Sequence, residues 1–99
     1  MSEPPVSLTT AFDRLEQLLE FPVDFPLKVM GRRVDGFAQT ISDIVRRHSP
    51  EFDPATMELR PSSQGTWLSL TVVVRLESRA QLEALYREIA GHPLVRIVL

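Results

Sequence analysis

Trp67-Leu68-Ser69-Leu70-Thr71-Val72-Val73-Val74-Arg75-Leu76 is the stretch on which the fold turns. Leu68, Leu70, Val72, Val74 and Leu76 fall on one side. Trp67, Ser69, Thr71, Val73 and Arg75 fall on the other. A period of two held over this length predicts a strand with one face in a core and one face open. Immediately upstream, Pro61-Ser62-Ser63-Gln64-Gly65 reads as a turn. Before it, Met57 and Leu59 alternate with Glu58 and Arg60, which predicts a short strand over 56–60. Pro61 has no N–H for a ladder, so that strand belongs at a sheet edge.

Downstream, Ser78-Arg79-Ala80-Gln81 has the capping-box pattern that opens a helix. Leu82, Leu85, Tyr86 and Ile89 share one face of it. Gly91 is expected to end it in a left-handed conformation, and Pro93 blocks continuation. Leu94 to Leu99 reads as the last strand. In the first half, Leu27-Lys28-Val29-Met30 predicts a strand ended by Gly31. A helix over 35–47 follows, with Phe37, Ile41, Ile44 and Val45 on one face. Arg46, Arg47 and His48 sit at its C-terminal end, where cations favour the helix dipole. Pro50 stops it.

The order is strand, helix, strand, strand, helix, strand. Each strand-helix-strand unit takes a right-handed crossover. The compact solution is an α+β, ferredoxin-like βαββαβ sandwich: one four-stranded antiparallel sheet with two helices on one face. Its first and third strands are central, and its second and fourth are edges. Ahead of it, residues 1–7 are expected to be disordered. Residues 8–24 are expected to form a short helix and a proline-containing connector, with Phe12, Leu15 and Leu19 at helical spacing, and the domain to occupy residues 25–99. That helix is placed on the open face of the sheet, its own or a neighbour's.

Charge narrows the function classes. The 99-residue chain carries a net charge of −2, but unevenly. Through Asp24 there are five acids (Glu3, Asp13, Glu16, Glu20, Asp24) against Arg14 alone. From Phe25 on, ten bases stand against eight acids. Nucleic-acid binders show a stronger basic balance. An RNA-recognition sheet also needs aromatics on both central strands, and only Trp67 is available. No nucleic acid is therefore expected. No apolar run approaches the roughly 20 residues that span a membrane, and the first residues lack a secretory pattern. Cysteine is absent, which fits a reducing cytoplasm. His48 and His92 share no metal-ligand spacing, so no metal or cofactor is expected. No nucleophile, base and orienting group fall together, so no catalytic residue is assigned.

Several segments together resemble one family. Leu18-Leu19-Glu20-Phe21-Pro22, Lys28-Val29-Met30-Gly31, Arg47-His48-Ser49-Pro50, Pro61-Ser62-Ser63-Gln64-Gly65, Leu85-Tyr86 and Val95-Arg96-Ile97-Val98-Leu99 are similar, in order and spacing, to the YbeD-like family of small bacterial proteins. The resemblance covers residues 15–99. It implies an ACT-like version of the ferredoxin-like fold and a bacterial cytoplasmic setting. Some members are encoded near lipoate-attachment genes. ACT domains pair through sheet edges or helices and bind small ligands at the junction after the first strand, a position that Gly31 matches.

Two groups of candidate residues follow. Gly31, Arg32 and Arg33 form a candidate ligand site, in which the arginine pair would hold an anion at the start of the second helix. Lys28, Arg60, Arg75 and Arg96, on the open side of the sheet, form a candidate partner or oligomer surface. Met30, Glu58 and Val98 are placed on that side too. The expected function is a non-catalytic regulatory or interaction module. It would form a homodimer, and it would sense a small metabolite or bind a partner protein. The alternatives are a ligand-free adaptor of a metabolic enzyme, such as a lipoate-related one, and a small enzyme.

Overall fold

The structure is a computed structural model that describes residues 20–98. Strand β1 (Val23–Arg32) leads into helix α1 (Phe37–His48). A 3-10 turn (Pro54–Thr56) precedes β2 (Glu58–Pro61), which turns back into β3 (Trp67–Leu76). Helix α2 (Arg79–Ala90) and strand β4 (Val95–Val98) complete it. The sheet order is β2-β3-β1-β4, and every neighbouring pair is antiparallel. This is the expected ferredoxin-like βαββαβ arrangement, with β1 and β3 central and Pro61 on an edge strand. The expected leader segments, residues 1–7 and the helix within 8–24, lie mainly outside the described residues.

The alternation in β3 works as its sequence pattern requires. Leu68, Leu70, Val72, Val74 and Leu76 are all buried. They form one core with Leu27 and Val29 of β1, Phe37, Ile41, Ile44 and Val45 of α1, and Leu82, Leu85 and Ile89 of α2. Both helices therefore cover the same side of the sheet. Among the described residues, no helix is long and apolar enough to cross a membrane.

Five local expectations are corrected. Strand β1 begins at Val23 and passes through Pro26 and Gly31, so Gly31 does not end it. Pro26 is tolerated because β4 pairs only with Val29–Gly31. On that side of Pro26 there is no described ladder for a missing N–H to break. Thr56 lies in the 3-10 turn, capped by Asp53, whose carboxylate accepts from the Ala55 N–H at 3.0 Å. Helix α1 begins at Phe37, because Gly36 holds a φ of +83°, which glycine adopts without a Cβ clash. Gly91 is right-handed, with a φ of −83°. The end of α2 is held by the Gly91 N–H donating to the Arg87 carbonyl at 3.0 Å and the His92 N–H to the Ile89 carbonyl at 3.1 Å.

The last correction concerns β4. Val98 pairs with Val29 and packs against the core, whereas Ile97 pairs with Met30 on the open side. A register shift between Met30 and Gly31 adds a residue to β4 and brings Arg96 to the open side beside Ile97. Simple alternation placed Arg96 correctly and Val98 wrongly for this reason.

Candidate functional site

The side of the sheet turned away from the helices is laid out in rows. Side chains directly opposite on neighbouring antiparallel strands point the same way and sit about 5 Å apart. One row runs Arg60, Ser69, Met30, Ile97 across all four strands. The next row is Glu58, Thr71, Lys28. Trp67 stands opposite Arg32, and Arg75 stands opposite Asp24.

Five cations (Lys28, Arg32, Arg60, Arg75, Arg96) share this face with two acids (Asp24 and Glu58). Arg75 is paired with Asp24 at 3.4 Å. The other four have no carboxylate within 4.0 Å among the described residues. Two shallow depressions lie side by side here. One, of about 510 Å³, is lined by Lys28, Glu58, Leu59, Arg60, Ser69 and Thr71. The other, of about 420 Å³, lies between Met30, Trp67 and the Pro61–Ser63 turn. Both include Arg60 and Ser69.

Trp67 organises one end of the face. The Arg32 guanidinium carbon lies 5.9 Å from the indole centroid, and that of Arg96 lies 5.5 Å from it. At exposed sites each such contact is worth about 0.5–1 kcal/mol. Trp67 is itself fixed by its backbone N–H, which donates to Ser62 Oγ at 3.1 Å.

The structure separates the three residues of the candidate ligand site. Gly31 is buried and points toward the helices. A Cβ there would lie 2.2 Å from the Leu94 carbonyl oxygen and 2.7 Å from the Phe37 ring. The room left by the missing side chain is thus filled by the chain itself. Arg32 lies on the open face. Arg33 leaves the sheet, donates its N–H to the Thr66 carbonyl at 3.0 Å, and lays its guanidinium against Gly65. Both arginines precede the start of α1 by several residues, so neither caps it. Lys28, Arg60, Arg75 and Arg96 do share one face. Trp67 and Arg32 are the members of that face that the alternation understated. Continuing Lys28, Met30 by one step reaches Arg32, but ending the strand at Gly31 hid it.

On the helix side, Arg47 and His48 of α1 both reach Glu88 of α2, with His48 Nε2 at 3.0 Å. Burial raises the Glu88 pKa, but the hydrogen bonds from His48 and Arg47 outweigh it and hold the carboxyl below its ordinary range. The cluster ties two helices together. Among the described residues, no group of three or more His, Cys, Asp or Glu side chains could hold a metal ion.

The profile of a family described as proteins of unknown function, DUF493, matches residues 16–99. The chain belongs to this family. A UPF0250 protein of Ralstonia nicotianae is 53% identical over 92% of this chain and 94% of its own. One from Bordetella pertussis is 54% identical over 85% of this chain and 92% of its own. One from Nitrosomonas europaea is 44% identical over 85% of this chain and 97% of its own. The expected membership of a small bacterial family is met. The DUF493 match spans every residue of the face described above.

Proposed function

We propose that this DUF493 domain is a non-catalytic interaction module that receives an acidic segment of a partner protein on the open face of its sheet. One observation carries the reading. Four cations stand on that face with no carboxylate partner among the described residues, although the chain as a whole is acidic. Complementary charge steers a partner to such a face and selects against wrong ones. The Trp67 ring and the two depressions supply apolar contact and shape beside the charge. Face-to-face pairing of two copies is disfavoured, because two faces with the same excess of positive charge repel.

An array of short random peptides tests this. Bound sequences are expected to be rich in Asp and Glu, and the double variant Lys28→Glu with Arg60→Glu, still folded by circular dichroism, is expected to lose that preference. A bound set without acidic bias, or an unchanged preference in the variant, would sink the reading.

A further inference from the structure

Two guanidinium groups from different strands converge on one indole at the β1–β4 end of the face. Arg32 comes from the end of β1 and Arg96 from the bulge of β4. Their guanidinium carbons lie 5.9 Å and 5.5 Å from the indole centroid. Neither has a carboxylate partner among the described residues. The attraction of the indole face for a cation favours both positions. Guanidinium groups present a planar fork of N–H donors that matches a carboxylate. A carboxylate arriving beside the ring would find such donors already in place.

We propose that Arg32, Trp67 and Arg96 form a clamp for carboxylates of the bound acidic segment. This rests on the open face being the binding surface, and it adds which residues read the charge. Lys28 and Arg60 then attract the rest of the segment through less directional contacts. The geometry depends on the close approach of β4 to Gly31. The Leu94 carbonyl occupies the place of the missing Cβ, and the bulge that follows presents Arg96 to the ring.

Trp67 is the only tryptophan of the chain, so its emission reports on the clamp alone. The probes are a short Glu-rich peptide and its Gln-substituted counterpart, with affinity measured independently by interferometry. The Glu-rich peptide is expected to bind and to change Trp67 emission saturably, and the Gln counterpart to do neither. Arg32→Gln and Arg96→Gln are each expected to weaken binding roughly tenfold and to shrink the emission change. Arg46→Gln, exposed on α1, is the control and is expected to bind as the parent does. If Arg32→Gln and Arg96→Gln bind normally while the Lys28→Glu, Arg60→Glu variant does not, the clamp is wrong and the face reading stands. If the parent binds neither peptide, or both equally, both proposals fall.

Discussion

At the scale of single residues, Gly31 within β1 and Gly91 at the end of α2 do different work. Gly31 sits where a methyl group would press into a backbone oxygen at 2.2 Å and a buried ring at 2.7 Å. Neither neighbour can step aside cheaply: Leu94 would take β4 with it, and Phe37 is fully buried in a packed core. Gly31→Ala is therefore expected to destabilise by about 1–3 kcal/mol. Its Arg96 should also be drawn away from Trp67. Gly91 has a right-handed φ of −83°, and an added Cβ would come only to 3.1 Å from the Arg87 carbonyl. Gly91→Ala combines that tight contact with the gain from a less flexible unfolded chain, so it is expected to stay within about 1 kcal/mol of the parent. Urea midpoints of the two variants decide this. Equal losses would show that the crowding at Gly31 is relieved elsewhere.

At the scale of elements, Gln81 joins more structure than its exposure implies. Its N–H donates to Ser78 Oγ at 3.2 Å, and its Oε1 accepts from the Glu77 N–H at 2.6 Å. That is the capping box foreseen in Ser78-Arg79-Ala80-Gln81, with the return bond shifted one residue outward. Its Nε2 also donates to the His48 carbonyl at 2.7 Å, closing the end of α1. One side chain thus caps the start of one helix and the end of the other. Gln81→Ala is expected to cost about 1–2 kcal/mol, and Gln81→Glu to recover only part of it. The glutamate keeps the acceptor for Glu77 but loses the donor and sets a negative charge beside the negative end of α1. Thermal unfolding of the two variants measures this, and a full recovery by glutamate would show that the bond to His48 contributes nothing. The same contrast marks how far the fold was legible beforehand. Trp67–Leu76 and the two helix faces were readable because each follows a period within one element. Arg32 on the open face, Val98 on the core face and the tie from Gln81 to α1 were not. Val98 is set by the bulge opposite Gly31 and the tie by the end of another helix, whereas Arg32 follows β1's own alternation past a glycine read as the strand's end. Lys28, Arg60 and Arg75 were gathered on one face because strand alternation alone decides it for them, whereas Arg96 reaches that face through the bulge.

At the scale of the whole molecule, the sheet divides two kinds of electrostatics. On the open side, Lys28, Arg32, Arg60 and Arg96 stand without a carboxylate partner among the described residues, which suits recognition rather than stability. On the helix side, Arg79 and Arg87 pair with Glu83, and Arg47, His48 and Glu88 clasp α1 to α2. The clasp gives stability a dependence on acid. Burial works against the Glu88 carboxylate, yet the bonds from His48 and Arg47 keep its pKa below the ordinary value. A lowered folded-state pKa means the unfolded chain binds the proton more readily. The contribution is therefore complete above the ordinary carboxylate range, near pH 4.3, and is lost as pH falls through the lowered folded value. The Glu88 side chain is 35% exposed, so solvent screens the clasp and its worth stays below about 1 kcal/mol. Glu88→Gln removes the titrating group while keeping its shape. At neutral pH the parent is expected to unfold at a higher urea concentration than Glu88→Gln. As pH falls below the carboxylate range the two midpoints should converge. A gap that persists undiminished into acid would mean that Glu88 acts through packing, and that the two helices are joined by their apolar faces and Gln81 alone.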